Sequence, residues 1–126
     1  MRLLLDTHIL LWWLDDDPAL PARAKTLIAD PANVVFISPL TLWEIAIKAR
    51  LGRIEADIDE VRAAATDGGL VPLPFTADHA GEVGRLPDHH RDPFDRGLVA
   101  QARREPMRLL THDRAVAVYG DSVLLV

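Results

Sequence analysis

A polar stretch between His89 and Arg96 is the part of the chain whose residue types and spacing most directly suggest chemistry. Its two carboxylates, Asp92 and Asp95, are three residues apart, a spacing that makes them neighbours on a helix surface. Asp92 followed by Pro93 is typical of an N-cap and a first helical residue. Asp95 then falls in the first turn, where a negative charge suits the helix dipole. Taken alone, the stretch predicts a helix start with two carboxylates facing one region of space.

Other acidic residues follow predicted strands. Asp6 comes directly after residues 3–5, an apolar run typical of a buried parallel strand, and Asp113 follows a second such run. Glu44 lies in a predicted helix that begins after Ser38. In a parallel sheet the carboxyl ends of the strands meet at one edge, where ligands bind. We therefore expect four acids to lie close together: Asp6, Glu44, Asp95 and Asp113.

Four carboxylates without four basic partners repel one another unless a cation lies among them. Oxygen ligands of this kind suit Mg²⁺ or Mn²⁺, which keep several waters and need few carboxylates. Such an ion can activate water for attack on a phosphodiester. Neighbouring side chains could bind the ion or orient its ligands: Thr7, Ser38, Asp92 and Thr111.

Each acid also has a purely structural interpretation. Asp113 fits a helix cap, and the cap interpretation is the stronger one for Asp92. Glu44 precedes Lys48 by four residues, the spacing of an ordinary ion pair on a helix. Asp6 is harder to explain in this way, because an acid that interrupts an apolar passage needs a partner or a metal.

The elements that must position these residues alternate along the chain. Strands are predicted at residues 3–5, 34–37, 70–73, 108–111 and 122–126, the third at an edge because of Pro72. Helices are predicted at about 9–14, from Pro21, at 40–51, 57–66, from Thr76, at 93–104 and 113–119. The alternation predicts an α/β sandwich with a central, mainly parallel β-sheet flanked by helices, as a single domain over residues 1–126.

Composition removes several classes of function. The chain has no cysteine, which excludes disulfides, thiolate metal sites and cysteine nucleophiles. Its net charge of −5 argues mildly against binding nucleic acid through bulk charge, an argument that weakens if some acids bind metal. The sequence contains no apolar run of the roughly 18 residues needed to span a membrane, and we expect a cytoplasmic protein.

Four motifs in order resemble those of one known family. They are Leu-Asp-Thr-His at 5–8, Ile-Ser at 37–38 with Leu-Trp-Glu-Ile at 42–45, Asp-Pro-Phe-Asp-Arg at 92–96 with Leu-Val-Ala-Gln at 98–101, and Leu-Thr-His-Asp at 110–113. The chain resembles the PIN-domain ribonucleases, and most of all the VapC-type toxins of bacterial and archaeal toxin–antitoxin pairs. The resemblance spans essentially the whole chain.

This resemblance implies a PIN-like fold and a Mg²⁺- or Mn²⁺-dependent endoribonuclease that cleaves RNA. It also implies a cognate antitoxin and a homodimer. The acidic positions of the family fall on four residues here, which the resemblance makes catalytic and metal-binding: Asp6, Glu44, Asp95 and Asp113.

Basic and aromatic residues around these acids are open to two interpretations. Four of them could contact RNA by stacking or through phosphate: His89, His90, Arg91 and Arg96. Solvated loop positions, or an ion pair for Arg96, explain them equally simply. We expect His8 to be structural. Three tryptophans are more than one core of this size usually needs, so at least one could lie at an interface, although ordinary burial is the simpler interpretation of each: Trp12, Trp13 and Trp43.

Three other functions remain as alternatives. A structure-specific DNA nuclease could share the architecture, although the chain has little room for DNA-clamping elements. A non-catalytic binding module would use its acids as caps and ion pairs. A phosphoacceptor domain is weaker, because it needs a lysine at a later strand end and no lysine follows Lys48.

Overall fold

A five-stranded parallel sheet forms the centre of the molecule. The computed structural model describes residues 1–126. The strands are β1 (Arg2–Leu5), β2 (Val34–Ile37), β3 (Val71–Pro72), β4 (Arg108–Thr111) and β5 (Val123–Leu125). They lie in the order β3-β2-β1-β4-β5, and every neighbouring pair is parallel. The α/β class is confirmed, and β3 lies at an edge as its proline predicts.

Seven helices cover the sheet: α1 (Thr7–Leu14), α2 (Ala22–Ala29), α3 (Pro39–Arg50), α4 (Ile58–Asp67), α5 (Ala77–Arg85), α6 (Pro93–Arg104) and α7 (Arg114–Ala117). Side chains of β1 alternate between two hydrophobic clusters, with Leu3 and Leu5 in one and Leu4 in the other. None of the helices is both long and apolar enough to cross a membrane. The expected cytoplasmic location stays a prediction.

Polar caps set where the helices begin. Asp92 caps α6 and Pro93 is its first residue, as the sequence predicts. Asp6 caps α1, which therefore begins at Thr7, two residues earlier than expected. The helix after Asp113 was expected to reach Tyr119 and instead ends at Ala117. Strand ends and helix starts thus share residues, so the acids lie where the chain leaves the sheet.

Helices α3 and α6 approach each other closely at Gly97. This glycine is buried, and a Cβ atom there would lie only 2.4 Å from Cδ1 of Leu40 on α3. Phe94, one turn earlier on α6, packs edge-on against Trp43 with ring centroids 5.3 Å apart. The close crossing brings the first turn of α6, with Asp95, towards the Glu44 turn of α3.

Candidate active site

Asp6 lies at the carboxyl end of the central strand β1 and is buried, with 6% of its surface exposed. Its Oδ1 accepts a hydrogen bond from the backbone N–H of Thr7 at 2.7 Å, and its Oδ2 accepts one from the Thr111 hydroxyl at 2.6 Å. Burial raises the pKa of Asp6, and these two hydrogen bonds partly oppose the rise. Thr111 and Thr7 therefore hold both oxygens of one buried carboxylate.

Glu44 projects from α3 and is also buried. Its Oε1 accepts a hydrogen bond from the Thr7 hydroxyl at 2.8 Å, and Lys48 lies 2.6 Å from its Oε2. The ion pair expected from the spacing of Glu44 and Lys48 is therefore present, although the carboxylate itself is not exposed to solvent. Thr7 connects the two acids, because its backbone binds Asp6 and its side chain binds Glu44.

Asp95, in the first turn of α6, experiences the negative charge of the whole cluster. Its pKa is raised to about 8, first by burial and then by the charges of four other carboxylates: Asp6, Asp92, Glu44 and Asp113. The dipole of α6 favours an anion at this position, but burial and the neighbouring charges have the larger effect on the pKa of Asp95. The structure thus brings the four acids predicted from the sequence into one electrostatic neighbourhood.

Asp92 and Asp113 both act as helix caps. Asp92 accepts hydrogen bonds from the backbone N–H groups of Phe94 and Asp95, at 2.9 and 3.0 Å. Asp113 accepts one from the N–H of Ala115 at 2.9 Å, and both side chains are exposed. A cap uses one carboxylate oxygen, so either residue keeps a free oxygen beside Asp95.

Ser38 is fully buried and caps α3. Its hydroxyl accepts a hydrogen bond from the N–H of Leu40 at 3.1 Å. The hydroxyls of Thr7 and Thr111, in contrast, bind carboxylates directly. Two of the three hydroxyl groups named from the sequence are thus placed where they orient acids.

The donor set fits a hydrated divalent cation. The acids offer oxygen atoms, which Mg²⁺ and Mn²⁺ prefer. No three histidine or acidic side chains are arranged to chelate one ion together, and Asp6 and Glu44 already accept hydrogen bonds on both oxygens. An ion that keeps most of its waters and uses one or two carboxylates directly matches this arrangement.

A hydrogen-bond chain reaches Asp95 from the other side. The Arg96 guanidinium donates to the Tyr119 hydroxyl at 2.9 Å, and this hydroxyl lies 2.9 Å from Nδ1 of His90. Nε2 of His90 lies 3.3 Å from Oδ2 of Asp95. His90 thus lies between the Tyr119 hydroxyl and Asp95 and contacts both. Sequence reasoning missed Tyr119, which belongs to no motif.

Arg96 holds the loop before α6. Its guanidinium donates to the carbonyl oxygen of Pro87 at 2.8 Å and lies near Asp88, and only 14% of its side chain is exposed. These contacts match the structural alternative for Arg96, and its contact with RNA stays a prediction. His89 and Arg91 are exposed, so their contact with RNA stays a prediction.

Two aromatic residues are more exposed than the simplest interpretation of the sequence implies. His8 was expected to be structural, yet it is exposed on α1, because Thr7 and Ile9 take the buried positions beside it. Burial was the simpler interpretation of each tryptophan, yet Trp43 is 60% exposed, and its place at an interface stays a prediction. Trp12 and Trp13 are half-buried.

The fold and site together define a parallel α/β protein with an acid cluster at the carboxyl edge of its sheet. The model of the PIN domain family matches residues 3–121, and the chain belongs to that family. A search of curated protein sequences gave no match.

Solved structures show the same fold. VapBC2 of Rickettsia felis, bound to a DNA fragment from its promoter, is 16% identical with a TM-score of 0.71, covering 100% of this chain and 98% of that one. VapBC-5 of Mycobacterium tuberculosis is 24% identical with a TM-score of 0.62, covering 99% and 97%. VapC20 of the same organism, a sarcin–ricin loop cleaving toxin, is 22% identical with a TM-score of 0.59, covering 94% and 95%.

Proposed function

We propose that this chain is a Mg²⁺- or Mn²⁺-dependent endoribonuclease, the toxin of a toxin–antitoxin pair. The observation that carries the proposal is the burial of two carboxylates, Asp6 and Glu44, joined through Thr7, with Asp92, Asp95 and Asp113 contributing to the same negative charge. Lys48 is the one lysine or arginine in direct contact with any of these acids, so a cation is needed to stabilise the rest when they are charged. Membership of the PIN domain family and likeness in fold to a sarcin–ricin loop cleaving toxin support RNA as the substrate.

Four acids would hold the ion, one or two of them directly and the others through its waters: Asp6, Glu44, Asp95 and Asp113. When bound, it would supply an activated water and charge neutralisation at a phosphodiester. Thr111 and Thr7 orient Asp6, and Thr7 also orients Glu44. Nε2 of His90 lies 3.3 Å from Oδ2 of Asp95, so this carboxylate is contacted from the loop side as well. Three of the four acids thus have a side-chain neighbour that orients them, which is how metal affinity is commonly tuned.

The test is cleavage of RNA by an Asp6→Asn variant. We expect at least a 100-fold loss of rate in Mg²⁺ or Mn²⁺, with an unchanged circular dichroism spectrum, because the amide removes a negative charge but keeps an oxygen for the Thr7 N–H. Asp59→Asn, which changes an exposed acid on α4, should cleave at the wild-type rate. Full activity in purified Asp6→Asn protein would contradict the proposal.

A non-catalytic module is the second candidate, because the caps at Asp6, Asp92 and Asp113 favour it. Capping does not require a carboxylate to be buried beside others, as Asp6 is. Matched RNA and DNA oligonucleotides, incubated with the protein and Mn²⁺, separate the possibilities. Cleavage of RNA supports the main proposal, cleavage of DNA alone indicates a DNA nuclease, and no cleavage of either indicates a binding module.

An apolar strip on α3 supports a protein partner. Trp43, Ile47 and Leu51 repeat every four residues and are exposed. Beside them, a cavity of about 480 Å³ is lined by Leu42, Trp43 and Ile58 among others. Exposed apolar patches of this kind mark interaction sites, and several solved structures of this fold are toxin–antitoxin complexes. We infer a cognate antitoxin as the partner, and light scattering of the free chain tests the proposed homodimer.

A further inference from the structure

A second cavity adjoins the acid cluster on the α1 side. It measures about 340 Å³ and is lined by five residues: Asp6, His8, Trp12, His112 and Asp113. Two of these are acids of the proposed metal site, and the other three are aromatic. The cavity is thus continuous with the cleft in which a phosphodiester would be cleaved.

Three aromatic rings form one side of this cavity. His8 and Trp12 lie one turn apart on α1, with ring centroids 5.8 Å apart, and Trp12 is also 5.8 Å from His112. The His112 ring is held through a hydrogen bond from Nδ1 to the Val126 carbonyl oxygen. Both histidines are exposed, whereas Trp12 is partly buried and packs against the hydrophobic core.

Core packing explains the position of Trp12 but not that of the two exposed histidines. The only side-chain hydrogen bond of either histidine joins His112 to the main-chain oxygen of Val126, and the two do not form a metal-chelating group with the acids. Asp6 and Asp113 would repel a phosphate placed directly in the cavity. A flat, uncharged aromatic group is the chemistry that fits, since it stacks on tryptophan and histidine and carries no negative charge.

The size of the cavity suits one such group. Ligand pockets range from roughly 300 to 1,000 Å³, and this one lies at the lower end. A single base attached to a ribose would fill it, whereas a peptide helix would need a longer groove. A base in a duplex could not reach it without leaving its stack.

We propose that His8, Trp12 and His112 form a stacking site for one unpaired base of single-stranded RNA, next to the phosphodiester at the Asp6–Asp113 edge. This inference rests on the proposed ribonuclease function. It adds that the substrate is bound as single-stranded RNA, through a base face as well as through the metal.

Binding of a randomised ten-nucleotide single-stranded RNA, followed by fluorescence anisotropy, tests the stacking site. The measurement is made with Mn²⁺ in an Asp95→Asn background, which prevents cleavage. Stacking of a base on an aromatic side chain is worth about 1–3 kcal/mol, so Trp12→Leu should weaken binding about 5- to 150-fold. Trp12→Phe should keep most of the affinity, and His112→Ala should weaken binding several-fold.

Trp13→Leu is the matched control. Trp13 is half-buried on the same helix and does not line the cavity, so its loss tests for general destabilisation of α1. We expect wild-type RNA affinity from this variant. If Trp12→Leu does not fold, the exposed His112 and the conservative Trp12→Phe change still decide the result.

The outcomes separate this inference from the proposed function. RNA affinity unchanged in Trp12→Leu and His112→Ala, with a wild type that cleaves RNA, overturns the stacking site alone. A wild type that neither binds nor cleaves RNA overturns the ribonuclease itself. Two other results also overturn the stacking site. In one, Trp12→Leu weakens Mn²⁺ binding by the same factor as RNA binding. In the other, Trp12→Leu weakens antitoxin binding and leaves RNA affinity unchanged.

Discussion

Asp95 is subject to two opposing electrostatic effects. The first turn of α6 favours a negative charge, while burial and the neighbouring carboxylates oppose it and raise its pKa to about 8. Neutralisation is therefore favourable at this residue, either by a proton or by a cation. This is the physical difference between Asp95 and Asp92, which is exposed and caps the same helix.

Stability without metal should fall as pH rises. The folded-state pKa of Asp95 is about 8, above its ordinary value of 3.8, so the folded state binds this proton more tightly than the unfolded state. The free energy of unfolding then decreases between about pH 4 and pH 8. In EDTA at pH 8, Asp95→Asn should be more stable than wild type by about 1–2 kcal/mol, less than the full shift implies because the side chain is partly exposed.

Urea denaturation at pH 4.5 and pH 8 measures this difference. The two proteins should approach equal stability at the lower pH, where Asp95 is largely protonated in the folded state. Asp59→Asn should follow the wild-type curve at both values. A wild type that is more stable than Asp95→Asn in EDTA at pH 8 would show that the ionised carboxylate of Asp95 does not destabilise the folded state.

Single residues were predicted well where one local signal decides the structure. Asp92 with Pro93 gave the start of α6, and the spacing of Glu44 and Lys48 gave an ion pair. Tyr119 could not be found in this way, because it reaches His90 across 29 residues of chain. The hydrogen bonds from Arg96 to the carbonyl groups of Pro87 and His90 could not be predicted either, because the path of that loop is not a sequence pattern.

At the scale of elements, the crossing of α3 and α6 at Gly97 sets the distance between their acids. A methyl group there would lie 2.4 Å from Cδ1 of Leu40, closer than non-bonded carbons approach. Gly97→Ala should therefore force Leu40 or α6 to move, with a loss of about 1–2 kcal/mol of stability and a lower cleavage rate. Thermal denaturation and an RNA cleavage assay measure the two effects.

Two further variants test whether the close approach of Gly97 to Leu40 causes these losses. In α5, a Cβ at Gly84 would meet no atom within 4 Å, so Gly84→Ala should stabilise by up to about 1 kcal/mol through helix propensity. The Gly97→Ala and Leu40→Ala changes should be less harmful together than the sum of their separate effects. Additive losses would mean that the two residues do not interact.

Strand and helix positions followed from the sequence because caps, prolines and apolar runs act locally. The strands of the sheet were all predicted, and the parallel arrangement follows from their alternation with helices. The start of α1 at Thr7 was missed because Asp6 was considered as a site residue and not also as a cap. The Gly97 crossing lies beyond local patterns, since it depends on how two helices distant in sequence pack.

For the whole molecule, binding of a divalent cation should reverse the order of stability seen in EDTA. At a Mn²⁺ concentration 100 times the Kd, a site present only in the folded state adds about 2.7 kcal/mol. The melting temperature of the wild type should therefore rise with Mn²⁺, and that of Asp95→Asn should rise much less. EDTA should abolish both RNA cleavage and the Mn²⁺-dependent increase in melting temperature.

Addition of metal after EDTA treatment tests the choice of ion. Because the candidate ligands are oxygen atoms, Mn²⁺ or Mg²⁺ should restore cleavage. A melting temperature of the wild type that is independent of Mn²⁺ would contradict the metal site.

The hydrogen bond between Thr111 and Asp6 joins residues 105 positions apart, and this has a consequence for synthesis of the protein. Strand β1 pairs on one side with β2 and on the other with β4, which is synthesised much later than β1. A nascent chain still lacking β4 has Asp6 but neither its Thr111 partner nor Asp113. The acid cluster is therefore completed only after residue 113 has been synthesised, and a shorter nascent chain lacks the proposed metal site.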